Sequence, residues 1–387
     1  MATQKGIVTS EIPTHPLAKI ARLWQSTRVY HVQDSQVITS PQAASAPIPQ
    51  FALDTNFPAG NIIYKRLLIR ISGALSITLA TGNTFTAKAN CVARLIQSLT
   101  LRFANLDYVV NGLDGITLLR VLNNQLRRMM FTQDPVNIPA GGSNANMPFE
   151  LVLEIPFQDP HLQRPEDTGI DRLVSGVPSL VINWVNNPAS VFGTASGTGN
   201  TFNIANLNIK TDVEVVDPPN GYAGLPLFKP YYDIKQVPIT QTAMSFPISL
   251  PFHDRRYGSI LISQRDSVSL AELADTIVGV NDTDRLFIAL NNDFLWNAEN
   301  WLLEEHRQRA ANGNAVMPAG CLSMDFMRLQ ANGKRIGDSI DVETQESGNL
   351  ILSADVTNPG AGSPALYLGM QCYMTLKPNQ LRPANLV

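Results

Sequence analysis

Histidines and carboxylates are the side chains here with the widest chemical use, and their spacing decides whether they could form a site. The five histidines stand far apart, at positions 15, 31, 161, 253 and 306. None belongs to an H-E-x-x-H pattern or to another spacing that would bring metal ligands together. Residues 304–306, Glu-Glu-His, fall on a predicted helix, where such a run usually forms a solvated face. The sequence therefore predicts no metal centre.

Motifs for nucleophilic catalysis and for phosphate binding are also missing from the sequence. No G-x-S-x-G elbow occurs, so a catalytic triad would have to be assembled from distant residues. The glycine-rich stretch 193–200 lacks the lysine of a phosphate loop, and the stretch 332–339 lacks its upstream glycine. We interpret both stretches as loop tips. We predict that the chain is not an enzyme and uses no cofactor.

Two weaker signals could bind a ligand. The two arginines in residues 252–258, FHDRRYG, could hold an anion, but a surface turn with ion pairs to Asp254 explains the same residues. Glu150 and Glu154 are the best candidates for the carboxylate pair of a glycosidase. They alternate along one predicted strand, which predicts more simply that they face solvent or a neighbouring molecule.

Composition limits the class of protein. The 387 residues have a formal net charge of −3, which argues against a protein that coats duplex nucleic acid. Only 16% of residues are charged, and 26 prolines with 25 glycines suit short strands joined by many turns. Cys91, Cys321 and Cys372 are too widely spaced to indicate a disulfide framework or a zinc site, so we expect buried thiols in a reducing compartment. We find neither a signal peptide nor an apolar run of about 18 residues.

Apolar residues recur at every second position in the first half of the chain. Residues 149–157, FELVLEIPF, place five large apolar side chains on one face of a strand. Over residues 114–131 the apolar period becomes that of a helix. The other predicted strands of this half are 66–80, 92–104, 179–185 and, as two short strands, 202–216.

The second half repeats this order of elements. Residues 217–238 contain five prolines, so they cannot form a central strand, and we interpret them as an ordered crossing between two domains. An Asn332-Gly333 turn predicts a hairpin. The predicted elements are strands at 258–264 and 285–291, a helix at 295–311, and strands at 321–329, 339–344, 350–356 and 365–376.

Two antiparallel sandwiches explain this repeat, because a sheet with one apolar face needs a second sheet to cover it. The pattern alone does not separate jelly-roll from immunoglobulin-like topology, but the single helix within each half favours jelly rolls. The predicted fold is therefore all-β, with two tandem jelly-roll sandwiches that each carry one inserted helix. An N-terminal helix and an extended arm precede them.

The N-terminal helix is predicted from Pro16 onward and has two chemically different sides. Residues 39–50, rich in Pro, Ala and Ser, predict the arm that follows it. The apolar side holds Leu17, Ile20 and Trp24, and the basic side holds Lys19, Arg22 and Arg28. The predicted divisions are helix and arm (1–50), first roll (51–216), crossing (217–238), second roll (239–377) and tail (378–387).

This order of elements resembles the double jelly-roll major capsid proteins of the tectivirus and adenovirus lineage, in the compact form of membrane-containing bacteriophages. The local likeness lies in residues 66–78, RLLIRISGALSIT, and in residues 91–124, which follow the opening strands and helix of the first roll. The likeness covers most of the chain as element order and spacing, since no invariant motif defines the family.

The resemblance implies a structural protein of the virion that forms pseudo-hexameric homotrimers and tiles an icosahedral capsid over an internal membrane. Synthesis in the host cytoplasm, contacts with minor capsid and vertex proteins, and no specific nucleic acid partner are part of the same expectation. The apolar side of the N-terminal helix would enter the lipid interface while its basic side meets anionic headgroups. Packing of that helix on a neighbouring subunit or on the base of its own subunit is an equal alternative. The alternative function is a carbohydrate-binding or spike-like β-sandwich protein.

Overall fold

The structure is a computed structural model, and nearly all the residues that it describes lie in antiparallel strands and the turns between them. This all-β character is as predicted. The described residues are 28–53, 56–88, 91–103, 106–110, 132–157, 169–172, 177–217, 228–250, 256–267, 286–290, 293–298, 321–325, 328–329, 335–336, 340–341, 350–360 and 362–375.

The first half of the chain forms a two-sheet sandwich with two short helices, α1 (Cys91–Leu95) and α2 (Ala189–Phe192). The strands are β1 (Arg28–Ile38), β2 (Gln42–Ala43), β3 (Phe51–Leu53), β4 (Ile63–Thr78), β5 (Phe85–Ala87), β6 (Ile96–Phe103), β7 (Leu106–Val110), β8 (Thr132–Gln133), β9 (Ser143–Pro156), β10 (Ile170–Asp171), β11 (Ser179–Trp184), β12 (Gly193–Ala195) and β13 (Thr201–Val216).

Strand order identifies the topology of this sandwich. One sheet has the order β1-β13-β4-β9, with β8 at its edge, and the facing sheet has the order β3-β11-β6-β7. If these eight main strands are numbered along the chain, the two sheets read 1-8-3-6 and 2-7-4-5. This is the arrangement of an eight-stranded jelly roll built from Greek keys.

The second half forms a second sandwich of the same kind. Its main sheets have the orders β14-β24-β16-β19 and β15-β23-β17-β18, which again read 1-8-3-6 and 2-7-4-5. Two tandem jelly rolls are therefore confirmed. The strand pairing decides between jelly-roll and immunoglobulin-like topology, which the sequence pattern left open. The strands are β14 (Phe228–Pro238), β15 (Ala243–Ser249), β16 (Arg256–Asp266), β17 (Leu286–Leu290), β18 (Asp293–Ala298), β19 (Cys321–Asp325), β20 (Arg328–Leu329), β21 (Arg335–Ile336), β22 (Ile340–Asp341), β23 (Leu350–Val356) and β24 (Pro364–Thr375).

The core of the first roll lies between its two sheets, and the alternating face of residues 149–157 forms part of it. Its five predicted apolar side chains are all buried on the inner face. They belong to one cluster with Leu99 of β6 and Ile182 of β11, which come from the opposite sheet. Full burial of one such side chain contributes about 1.5–3 kcal/mol, so this contact between the sheets is a major source of stability.

A glycine adapts this core to a large ring. Gly73 on β4 is paired with Phe149 on β9, and a Cβ atom at position 73 would lie 2.5 Å from Cζ of Phe149. The Phe149 ring therefore lies over the glycine backbone. On its other side it packs against the ring of Phe192, with 5.1 Å between the ring centroids. A side chain at position 73 would compete with the phenylalanine for the same space.

The two rolls also pack against each other through β16. Seven consecutive residues from Ile260 to Asp266 are buried, so both faces of this strand are covered. Leu261 belongs to the core cluster of the first roll, which places the face of Leu261, Ser263 and Arg265 against that roll. The opposite face, with Ile260, points into the second roll.

Several predicted boundaries need correction. Residues 28–38 form β1, the first strand of the first roll, and not the end of a helix and an arm before Phe51. Residues 228–238 form β14 and not a crossing; this strand tolerates Pro230 and Pro238 because it lies at the edge of its sheet, where some backbone N–H groups need no partner.

Three further elements differ from the prediction in kind. Residues 91–95 form α1, although a strand was predicted from residue 92. Most side chains of α1 are buried, so its apolar residues show no helical period that would distinguish it from a strand. Residues 201–216 form one strand, and Asn206, with φ of 53°, marks a bulge where two strands were predicted. Residues 295–298 belong to β18, so the second predicted helix does not begin at Leu295. The helix predicted at 114–131 lies outside the described residues.

Candidate functional site

The predicted membrane-contact residues are only partly within the described chain. Leu17, Lys19, Ile20, Arg22 and Trp24 lie outside it. Arg28 begins β1, forms an ion pair with Asp217 just after β13, and places its guanidinium carbon 5.6 Å from the centroid of the Tyr30 ring. The chain therefore enters and leaves the first roll at the same end. Arg28 is part of the sheet, which corrects its predicted place on the basic helix.

The two candidate catalytic carboxylates lie in a network of ion pairs on the outer face of the sheet. Glu150 pairs with Arg70 on the neighbouring strand, with 2.8 Å between Oε1 and Nε. Glu154 accepts a hydrogen bond of 3.1 Å from Nη1 of Arg66, and Arg66 also pairs with Glu214. Each carboxylate is thus paired with an arginine on the neighbouring strand.

Burial of this network is uneven across the outer face of the sheet. Glu154 and Glu214 are only 7% and 4% exposed. Of the two placements predicted for Glu154, solvent or a neighbouring molecule, the first is therefore wrong. Nearer β1, Lys210 pairs with Asp34 at 2.7 Å, and both side chains are more than 40% exposed. We call this surface the charged face. It consists of Asp34, Arg66, Arg70, Glu150, Glu154, Lys210 and Glu214.

Replacing Glu154 by glutamine should change how stability depends on pH. Burial raises the pKa of Glu154 above its usual value of 4.5, although Arg66 partly opposes this. Between the unfolded pKa and this higher folded pKa, the folded state binds more protons than the unfolded state. The free energy of unfolding due to this group therefore falls as pH rises through that interval, and is fully present below it.

Urea unfolding over a pH series measures this effect. The Glu154→Gln variant cannot titrate at this position, so its stability relative to the wild type should improve as pH rises through the interval. Parallel stability curves for the two proteins would show that burial does not control this carboxylate.

The opposite end of the first roll has a different chemistry. We define the neutral cap as residues 39–50, 79–88, 132–142 and 185–200, the connections that follow β1 and β4 and precede β9 and β13. Backbone hydrogen bonds join these loops: Ala189 N donates to Ala44 O at 2.9 Å, and Phe85 and Ile138 exchange two bonds of 2.9 Å. They therefore form one surface.

Two asparagines brace the centre of the neutral cap. Nδ2 of Asn83 donates to Thr198 O and to Oδ1 of Asn200, both at 3.0 Å. Oδ1 of Asn200 also accepts a bond from Ala80 N at 3.0 Å. Gly197 and Gly199 have φ of 65° and 80°, which favours glycine at both turns. Residues 196–200 thus form a loop tip after β12, as predicted, and side chains fix it. Residues 193–195, predicted as part of the same tip, form β12 instead.

Charged side chains are scarce in the neutral cap. Within its described residues, Lys88 and Asp134 are the charged ones, and both lie beside the helices at its margin. Nζ of Lys88 donates to Ser190 O at 3.0 Å, and Asp134 accepts a bond of 2.9 Å from Cys91 N. The exposed remainder consists mainly of Ser, Thr, Asn, Gln, Pro, Ala and Gly, together with Val136, which is 60% exposed.

Neither a protein-family model nor a curated protein sequence matches this chain. Solved structures do match it. A chain of Sulfolobus turreted icosahedral virus has a TM-score of 0.60, with 14% identity over 90% of this chain and 91% of that one. The major capsid protein P2 of bacteriophage PM2 has a TM-score of 0.53, with 10% identity over 91% of this chain and 99% of that one. VP54 of PBCV-1 has a TM-score of 0.57, with 13% identity over 90% and 93% of the two chains.

The chain has the double jelly-roll fold. This double jelly roll spans nearly the full length of the solved chains to which it is similar. In the part of the chain that the structure describes, no group of His, Cys, Asp and Glu side chains could hold a metal ion. Those same residues include no helix that is long and apolar enough to span a membrane.

Sequence reasoning singled out Glu150 and Glu154 but missed their partners in the charged face and the two asparagines that brace the neutral cap. Arg66 and Glu214 occupy polar positions on strands whose pairing only the topology reveals. Asn83 and Asn200 are 117 residues apart, and nothing local indicates their contact. The shortage of charge in the neutral cap could be predicted from the sequence, because residues 71–87, 135–149 and 186–209 contain no Asp, Glu, Lys or Arg.

Proposed function

We propose that this protein is the major capsid protein of a virus and acts by self-association in the icosahedral shell of the virion. The observation that carries the proposal is one jelly-roll topology built twice in a single chain, in a fold shared with capsid proteins over nine tenths of its length. Two similar upright units per chain give six units per trimer. Such a trimer has a nearly hexagonal outline, which can tile a surface.

The assembly unit that follows is a homotrimer. Light scattering coupled to size exclusion should give a mass of about 127 kDa, three times the 42.3 kDa of one chain. A stable trimer needs a large buried interface, so this mass should persist on dilution to low micromolar concentration. A monomer under these conditions would contradict the proposal. A monomer whose elution shifted with added sugars would instead favour the carbohydrate-binding alternative.

A lipid membrane beneath the shell is the second proposed partner. Residues 1–27 precede Arg28, so they join the first roll at the end opposite the neutral cap. Their apolar Leu17, Ile20 and Trp24 suit a lipid interface, and Lys19 and Arg22 suit anionic headgroups, at about 1 kcal/mol for each basic group. Minor capsid and vertex proteins would complete such a shell.

Deleting residues 1–24 should leave the trimer mass unchanged and weaken co-sedimentation with vesicles that contain anionic lipid. The double substitution Lys19→Gln and Arg22→Gln is the matched variant, because it removes the charges and keeps the apolar side. It should reduce binding to anionic vesicles by about tenfold or more and leave binding to neutral vesicles unchanged. Equal vesicle binding by the truncated protein would favour packing of the helix on a neighbouring subunit.

A further inference from the structure

We infer that Arg172, at the entry end of the first roll, binds a phosphate group. The entry end is the end where β1 begins and β13 finishes, and where residues 1–27 join the roll. Arg172 directly follows β10, whose two residues pair with the first two residues of β4. Because Val216, the last residue of β13, pairs with Ile63 at the same place, Arg172 lies just beyond the ends of these strands.

The guanidinium of Arg172 has no counter-charge in the described part of the chain. The side chain is half-buried, and no carboxylate of the described residues pairs with it. Its Nε is fully buried and meets no hydrogen-bond acceptor there. Arg70, in contrast, pairs with Glu150 on the neighbouring strand. A buried donor without an acceptor and a cation without a counter-charge are both unfavourable, so this position is suited to an anionic ligand.

Two contacts fix the position of the arginine. Arg172 N donates to Ile62 O at 3.0 Å, which ties its backbone to the residue before β4. The guanidinium lies beside the hydroxyl of Tyr64, which is fully buried and donates to Pro58 O at 2.7 Å. Burial raises the pKa of Tyr64 to about 12, although the nearby arginine opposes this, so the phenol stays neutral and supplies no counter-charge. The arginine is thus held in place before a ligand binds.

The surroundings of this site are apolar. The buried rings of Phe57 and Phe157 pack edge-on against Tyr64, with 6.2 and 6.4 Å between the ring centroids. Attraction between opposite charges is stronger where such groups exclude water. A guanidinium also offers pairs of N–H groups in one plane, which match two oxygens of a phosphate group. Phosphate is therefore the ligand chemistry that we assign to Arg172.

The phosphate could belong to a lipid headgroup or be free in solution. The lipid source rests on the membrane partner proposed above, because residues 1–27, which carry Lys19 and Arg22, join the roll at this same end. Nucleic acid would instead require several basic groups along a groove and exposed aromatic rings. The rings beside Arg172 are buried, which favours a single headgroup over a nucleic acid strand.

Thermal unfolding of the full chain in inorganic phosphate, and in chloride of equal ionic strength, tests the site. Phosphate should raise the unfolding temperature of the wild type, because a ligand that binds only the folded state stabilises it. Arg172→Gln should raise the apparent dissociation constant for phosphate by at least about tenfold, and Arg172→Lys should do so by less. Arg70→Gln is the matched control, with the same change in charge on the outer face, and should respond as the wild type does.

Three results would overturn the phosphate site. The first is a wild type that does not respond to phosphate, and the second is a full response by Arg172→Gln. The third is a loss of stability in chloride that is larger for Arg172→Gln than for Arg70→Gln. It would show that Arg172 pairs with a carboxylate of this chain, such as Glu166 or Asp167, which lie outside the described residues. Removing a cation that has no partner should instead leave stability in chloride unchanged or higher.

Co-sedimentation with vesicles that contain phosphatidic acid identifies the source of the phosphate. Arg172→Gln should bind these vesicles about fivefold more weakly than the wild type, and Arg70→Gln should bind them equally well. Unchanged vesicle binding by Arg172→Gln would overturn the lipid source and assign free phosphate. Weaker binding of a single-stranded oligonucleotide by Arg172→Gln, with vesicle binding unchanged, would overturn it in favour of nucleic acid.

The double variant Lys19→Gln and Arg22→Gln separates this inference from the proposed membrane partner. It should keep the full thermal response to inorganic phosphate, because neither substitution alters Arg172. A phosphate response together with vesicle binding that neither this variant nor Arg172→Gln weakens would overturn the membrane partner and leave the phosphate site standing. Vesicle binding that only the double variant weakens, without a phosphate response in the wild type, would overturn the site and leave the membrane partner standing.

Discussion

Replacing Phe149 by alanine should destabilise the first roll by about 3–5 kcal/mol, and adding valine at Gly73 should recover part of this loss. Phe149 is 1% exposed and lies opposite Gly73 on the adjacent strand. Residues directly opposite in an antiparallel pair point to the same side of the sheet. Removing the ring opens a cavity beside the glycine, and a side chain at position 73 would extend into that cavity.

In the wild-type background, the single substitution Gly73→Val should destabilise the protein, whereas it should stabilise the Phe149→Ala variant. Its Cβ would lie 2.5 Å from Cζ of Phe149, and the ring has little room to move because Phe192 packs against it. We expect destabilisation of about 1–3 kcal/mol from overpacking. The two changes should therefore be strongly non-additive, with the double variant more stable than the sum predicts by more than about 1 kcal/mol.

A double-mutant cycle by urea unfolding measures this coupling. Ser72→Val is the matched control, because its side chain points to the outer face and should combine additively with Phe149→Ala, within about 0.5 kcal/mol. Additive behaviour of the Gly73 pair would contradict the placement of the ring over the glycine.

The strands with one buried face were predictable from local sequence. Residues 149–157 alternate, and the structure buries the expected side chains, because one face of β9 meets the core and the other carries Glu150 and Glu154. The pairing of β4 with β13 was not predictable in this way. It joins residues 63–78 to residues 201–216, and only the assembled sandwich brings them together.

The failures of prediction have physical causes at particular places. The prolines correctly indicated that residues 228–238 are not a central strand. The prediction did not consider an edge strand, which is what these residues form. Arg28 was predicted to lie on the basic side of the N-terminal helix with Lys19 and Arg22. Its pairing with Val215 places it in a sheet instead. The Glu154–Arg66 and Asn83–Asn200 contacts depend on strand register and loop closure, which local patterns do not specify.

Replacing Arg265 by methionine should destabilise the protein by about 3–5 kcal/mol, far more than the same change at Lys210. Arg265 is only 1% exposed, and it lies on the face of β16 that carries Leu261 toward the first roll. A buried guanidinium must be satisfied by nearby acceptors, because an unpaired ion in the interior is very unfavourable. Methionine has a similar length and apolar stem, so it removes the charge and leaves those acceptors buried.

Lys210→Met is the control, since Lys210 and Asp34 are 44% and 41% exposed and such surface pairs contribute about 1 kcal/mol or less. Arg265→Lys should fall between the two, because it keeps a positive charge but loses the planar guanidinium and its fixed set of donors. Urea unfolding of the three variants under identical conditions gives the ranking. If Arg265→Met were no more destabilising than Lys210→Met, the arginine would not hold buried polar groups together where the two rolls meet.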